Sequence, residues 1–270
     1  RRGQRTLSAT MDTQNLPFAS LTSLTPAWPV SSRVTAFTTT RLGGVSAPPF
    51  NQLNLGLHVG DDRDDVLENR RRLNDAFALP HSPRWLNQTH SADLLQKGSG
   101  LEHAADTQAD GSWTNEADTV IAVLTADCLP VVISDRQGLQ IAVIHAGWRG
   151  LATGILENAL ATFPSDSELY AWLGPAIGPQ AFEVGSDVKE AFVSRHADHS
   201  SAFTDEHSPG KCFADIYALA RRELTRSRSV SVHGGDYCTV LQADLFHSHR
   251  RDGKLSGRMA TVAWISDTPE

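Results

Sequence analysis

Apolar and polar positions change period several times along the chain, and each change marks an element. Val34-Thr-Ala-Phe-Thr-Thr-Thr40 is rich in β-branched residues and predicts a strand, closed by Arg41-Leu-Gly-Gly44. Between Asp61 and Ala78, Val66, Leu67, Arg70, Leu73 and Phe77 fall near helical spacing behind an acidic first turn; Pro80 and Pro83 end that helix. Trp85 to Leu95 reads as extended. Val120 to Leu124, Pro130 to Ser134 and Ile141 to His145 are short apolar runs that predict strands, the last two joined by the hairpin-like turn Asp135-Arg-Gln-Gly138. Leu151, Ile155, Leu156, Ala159, Leu160 and Phe163 then line one helical face as far as Pro164. Leu169 to Leu173 predicts a further strand, leading into the loop Gly174-Pro-Ala-Ile-Gly-Pro179. Ser186 to Arg195 and Asp215 to Arg228 predict helices, each begun by a good N-terminal residue, and Val230 to His233 and Met259 to Ile265 predict closing strands.

Strands interspersed with helices, hairpins included, predict an α+β fold rather than a doubly wound parallel sheet. No fixed-period repeat, low-complexity tract or linker divides the chain, so residues 11–270 read as one catalytic domain. Residues 1–10, before Met11, read as an upstream or vector-derived tail.

Composition narrows the partners. With 270 residues, 40% of them hydrophobic, the chain has ample material for a core. A formal charge of -7 argues against a nucleic acid or membrane surface as partner, since both need a basic face, and favours a small-molecule substrate. Three widely spaced cysteines, Cys128, Cys212 and Cys238, do not make a secreted disulfide framework and fit a reducing compartment. The apolar runs are too short for a bilayer span, and the start lacks the apolar segment of a secretory signal. The expected location is the cytoplasm.

Candidate chemistry gathers at element ends. His145-Ala-Gly-Trp-Arg-Gly150 follows one predicted strand, Thr125-Ala-Asp-Cys-Leu-Pro130 follows another, and Asn87-Gln-Thr-His90 lies in the extended segment. His90, Cys128 and His145 are the ligand count of a catalytic zinc centre with one position left open. The spacing is long-range and matches no local zinc motif such as CxxC or HExxH. On residues alone two other readings stand: Cys128 as an inert buried thiol beside ordinary histidines, and Cys128 as a nucleophile with His145 as its base, which leaves His90 unused. His81, His103, His196, His199 and His207 lie in polar sequence and read as solvated, while His247 and His249 read as surface residues among arginines.

The two central motifs, together with Thr40-Arg-Leu-Gly-Gly-Val-Ser46, Asn54-Leu-Gly56, His58-Val-Gly-Asp61, Trp85-Leu-Asn-Gln88, Ala171-Trp-Leu-Gly-Pro-Ala-Ile-Gly-Pro179, Arg250-Arg-Asp-Gly253 and Gly257-Arg-Met-Ala260, resemble the YfiH family, also called laccase-domain or multicopper polyphenol oxidoreductase proteins. That resemblance implies a single domain of layered sheets and helices, with a zinc site made by His90, Cys128 and His145. It implies purine nucleoside phosphorylase activity on adenosine, inosine and methylthioadenosine, with adenosine deamination as a side reaction. Some bacterial members are instead tied to removing wrongly added L-serine from a muropeptide precursor carried on UDP-MurNAc. The chain departs from the family pattern around His90, where Ser91 replaces a glycine, at Gly111-Ser-Trp113, in one extra residue between Gly253 and Gly257, and at His249, where a tyrosine is usual.

Counting donors tests the oxidase name. Four coppers require many histidines, largely in His-x-His pairs, and this chain has one such pair, His247-Ser-His249. Laccase chemistry is therefore rejected, with copper kept as an alternative occupant in vitro. Phosphorolysis requires cationic donors for phosphate; Arg41 and Arg149 are the first candidates, with Arg251 and Arg258 behind them and an ordinary structural salt bridge as the alternative for each. Gln88 and His58 are candidates for nucleoside contacts. Asp127 is set aside as a proton carrier, because neighbours on a strand face opposite ways and Cys128 is the ligand. A non-enzymatic zinc-binding module remains as the other class, and a fourth protein ligand closing the tetrahedron would mark it. The expected partners are a purine nucleoside and phosphate, with the oligomeric state left open.

Overall fold

The computed structural model describes residues 21–98, 107–226 and 228–267. The tail 1–10 and His103 lie outside them. In chain order the elements are β1 (Ser23–Leu24), β2 (Val34–Thr39), α1 (Arg63–Ala76), β3 (Leu94–Gln96), β4 (Gly111–Thr114), β5 (Ile121–Thr125), β6 (Leu129–Asp135), β7 (Ile141–Ala146), α2 (Trp148–Ala152) and α3 (Ile155–Ala161). They continue with β8 (Leu169–Leu173), β9 (Glu183–Gly185), α4 (Ser186–Val193), β10 (Lys211–Phe213), α5 (Ile216–Arg226), β11 (Val230–Gly234), α6 (His249–Asp252) and β12 (Met259–Ile265).

Two sheets carry the fold. One has the order β1-β2-β12-β5 and the other β11-β8-β6-β7-β4-β3, with β10 and β9 forming a separate pair. The pairings are mostly antiparallel, but β11 with β8 and β3 with β4 are parallel, so the class is α+β with mixed sheets. Alternation along each strand explains the layering. Val131, Ile133, Ala142 and Ile144 point to a core shared with α3, α4 and α5, while Val132, Ile141 and Val143 point to a second core shared with Ala36, Ile121, Val123 and Ala263 of the other sheet. A third core lies between that sheet's far face and α1, through Phe37, Leu55, Leu73, Val120 and Ala122. Strands β5 to β8 are thus buried on both faces, which is why they read as continuous apolar runs.

Asp62 caps α1 by accepting hydrogen bonds from the N–H groups of Asp64 and Asp65. The helix expected from Leu151 to Phe163 is two helices. Gly154, at φ 97, breaks it in the left-handed region, and α2 and α3 still bury the same stripe on the same core. Two histidines expected at the surface are buried. His199 donates from Nδ1 to the Phe192 carbonyl at 3.1 Å and sets Nε2 2.7 Å from the buried Glu223 carboxylate. His247 is enclosed, its ring packed so tightly on Gly257 that a β-carbon there would meet it at 2.5 Å. Among the described residues no helix is long and apolar enough to cross a membrane.

Candidate metal centre

The β6–β7 hairpin assembles two of the three expected ligands. Its register pairs Pro130 with His145 and Leu129 with Ala146, so Cys128 lies one step beyond the last pair, opposite Gly147. His90 reaches the same point from the segment before β3, with a left-handed backbone at φ 63. Cys128 Sγ is 3.8 Å from His90 Nε2, the two imidazole centroids are 4.8 Å apart at 78°, and the three ligand atoms all lie within 4.8 Å of one another. Among the described residues this cluster has no fourth histidine, cysteine or carboxylate. Gly147 makes the approach possible. A β-carbon on it would stand 3.0 Å from His90 Cδ2, 3.2 Å from Cys128 Sγ and 3.4 Å from His145 Cε1.

Asp110 is the residue that sequence reasoning missed. It is fully buried, and its carboxylate accepts from Nδ1 of His145 at 2.7 Å, from the N–H groups of Thr89, His90 and Ser91 at 3.0, 2.9 and 2.7 Å, and from the Ser91 hydroxyl at 3.0 Å. Burial pushes this carboxyl upward, but the hydrogen bonds from His145, Ser91 and Thr89 outweigh it and hold the group well below the usual carboxylate range. The same balance acts on the ligands. Burial opposes charge on both, yet the charge of His145 and hydrogen bonds from both imidazoles bring the Cys128 thiol down to about 6. Against the same burial, the Cys128 charge and the Asp110 hydrogen bond raise His145 to about 9. Two imidazoles and a thiol held toward thiolate, with Nδ1 of His145 already engaged, fit a zinc-type ion, for which His145 Nε2 would have only to release its proton.

The cluster lies in the wall of a cavity of about 610 Å³. Arg149, Arg250, Arg258 and His58 line it as well, on a chain whose net charge is -7. The single carboxylate in the lining among the described residues, Asp127, is occupied: it accepts from Thr239 Oγ1 at 2.5 Å, Ser248 Oγ at 3.0 Å and the Arg250 N–H at 2.6 Å. Asp127 is in a bend at φ 84, not on a strand as expected, so its exclusion as a proton carrier rests on these three donors and not on strand alternation. Trp148, Ile177, Phe182 and Ile216 supply an apolar wall. His249 also faces the cavity.

The other expected contacts divide. Arg149 stacks over Trp148 at 4.4 Å from the ring centroid and lines the cavity. Arg258 lines it too, with one nitrogen donating to the Ser256 and Gly257 carbonyls. His58 lines it, its basicity lowered by burial and by the neighbouring Arg258 and Arg70. Arg41 does not line it: its guanidinium donates to the Asn51 carbonyl at 2.9 and 2.7 Å and to Ala243 at 3.1 Å. Arg251 likewise holds the Thr239, Val240 and Phe246 carbonyls. Gln88 lines the cavity, but its amide pairs with both backbone groups of Leu124 at 2.8 Å, which fixes the segment before His90 to β5. Arg250 carried no expected role, although the Arg-Arg-Asp-Gly motif that holds it is visible in the sequence.

The sequence and these layers place the chain in a known class. Residues 35–266 match the family model described as multi-copper polyphenol oxidoreductase laccase, and the chain belongs to that family. An Escherichia coli K12 protein called purine nucleoside phosphorylase YfiH is 49% identical over 243 residues, covering 90% of this chain and 98% of that one. A Pseudomonas aeruginosa protein, also called a purine nucleoside phosphorylase, is 46% identical with the same coverage. Among solved structures, a Neisseria meningitidis protein of family DUF152 superposes with a TM-score of 0.84 at 43% identity, covering 90% of this chain and 99% of its own.

Proposed function

We propose that this protein is a zinc-dependent purine nucleoside phosphorylase of the cytoplasm, acting on adenosine, inosine and methylthioadenosine, with adenosine deamination as a lesser reaction. One observation carries this reading: three arginines, with no free carboxylate beside them among the described residues, share a cavity with the His90, Cys128 and His145 cluster. The names of the relatives point the same way. In phosphorolysis a phosphate oxygen bonds to the anomeric carbon while the glycosidic C–N bond breaks, its electron pair leaving with the purine. Arg149, Arg250 and Arg258 hold the anion and the charge that develops around it. The wall of Trp148, Ile177 and Phe182 takes the flat base and keeps water from the reacting carbon. His58, held toward its neutral form by burial and by the cations Arg258 and Arg70, accepts or donates a hydrogen bond at the nucleoside. Zinc, when bound by His90, Cys128 and His145, supplies a Lewis acid at the cavity wall.

Metal-defined protein incubated with adenosine, with and without phosphate, tests the proposal. Adenine and ribose 1-phosphate appearing only with phosphate support it; inosine alone reduces the activity to deamination. Neither product, with L-serine released from the UDP-MurNAc precursor, replaces it. Cys128→Ala is expected to abolish turnover while the fold is retained, and full activity in that variant removes Cys128 from the site.

A further inference from the structure

Among the described residues Asp110 is the one carboxylate that touches both histidines of the cluster. The N–H groups of three successive residues, Thr89, His90 and Ser91, converge on it, with His90 in the left-handed region. That is the geometry of a backbone nest, a concavity that binds anions. A left-handed backbone is unfavourable for a residue with a β-carbon, and the charge of Asp110 offsets that cost at the residue that must aim its ring at Cys128. On the second histidine the logic is one of proton placement. A carboxylate oxygen only accepts, so Nδ1 of His145 keeps its proton and Nε2 is the nitrogen that would give up its own to ligate at the cluster.

We propose that Asp110 is the positioning residue of the metal centre, setting the backbone of His90 and the tautomer of His145 with one charged group. This rests on the reading of the cluster as a metal site. An amide cannot take the place of the carboxylate. If its NH2 group stands at the Oδ2 position it opposes the donors of Thr89 and Ser91. If it stands at the Oδ1 position it opposes His90 N–H and turns the His145 proton onto Nε2, where that ring no longer ligates.

The test is zinc affinity by chelator competition, with the absorption spectrum of the cobalt-substituted protein as a second readout. Asp110→Asn is expected to weaken zinc binding by about 10- to 100-fold and to shift the cobalt bands. Thr38→Ala, which removes a buried hydrogen bond from β2 to Thr261 on the neighbouring strand β12, away from the cluster's own sheet, is expected to lower stability and leave affinity unchanged. Equal losses in the two variants would assign the effect to general destabilisation and overturn the proposal. Unchanged affinity in Asp110→Asn overturns it as well. Nitrogen NMR of the zinc-loaded wild-type protein decides the question even if that variant does not fold: a proton on Nδ1 of His145 supports the assignment and a proton on Nε2 overturns it. Wild-type protein that binds no zinc removes the metal site itself, whereas wild type that binds beside an unaffected Asp110→Asn removes only the role given to Asp110.

Discussion

Gly147 faces Cys128 across the open end of the β6–β7 hairpin, so near that a methyl group on Gly147 would stand 3.2 Å from the sulfur. It would also press on both imidazoles. Gly147→Ala is expected to fold, since φ is -61 there and suits any residue. Displacing the ligands by a few tenths of an ångström should lower turnover by about 10-fold or more, read in steady-state assays beside bound-zinc content. Wild-type turnover and zinc content in this variant would show that the three ligand atoms do not need this closeness.

Arg258 reaches the cavity from the start of β12, anchored by its N–H on Asn54 at 2.9 Å. As a holder of phosphate it should influence KM for phosphate far more than KM for the nucleoside. Arg258→Ala is expected to raise the phosphate KM by about 10- to 100-fold, the range of one lost charged hydrogen bond, with Arg258→Lys in between. An equal rise for both substrates would instead point to loss of cavity shape.

Asn54 ties three loops together. Its side chain accepts from the N–H groups of Gly56 and Arg258 and donates to the Gly56 carbonyl and to Asp61. Asn54→Ala leaves those buried groups without partners, and a loss of about 1–3 kcal/mol is expected in urea denaturation. Because the same side chain sets the approach to His58, nucleoside KM should rise in parallel.

Buried Glu223, beside the half-buried Glu157, contributes a pH dependence to stability. Burial and the nearby Glu157 carboxyl raise Glu223 to about 7, whereas the Arg195 hydrogen bond holds Glu157 below its ordinary value. A carboxyl with a raised folded-state pKa binds more protons in the native state, so its contribution falls as pH rises from about 4.5 through about 7. Glu223→Gln keeps the neutral form. Its Tm relative to wild type is expected to be higher at pH 8 than at pH 5.5, and a difference that does not change with pH would show that Glu223 is already ionised throughout.

Strands β5 to β8 and the strand-end positions of Cys128 and His145 are legible because each depends on residues close in sequence: an apolar run, a turn, a donor at the strand end. What was hidden depends on distant partners. The polar sequence around His199 suggests water, and only Glu223, brought alongside on α5, explains its burial. Asp110 looks like any loop aspartate until the turn at 89–91 folds over it. Arg41 and Arg258 cannot be told apart by composition; backbone carbonyls claim the first, while the second faces the cavity. The break between α2 and α3 escaped because Gly154 interrupts the backbone without disturbing the apolar stripe. Strands of two or three residues, such as β1, β9 and β10, are too short to show a period at all.

Strand β12 lies inside its sheet, between β2 and β5, although it is the last strand in chain order among the described residues. During synthesis that layer therefore waits as two halves with a gap down the middle, each offering raw edges to any passing chain. Closing the gap is a long-range event, and long-range pairing is slow. Ribosomes halted before Met259 should leave sticky, chaperone-dependent fragments instead of weakly active enzyme.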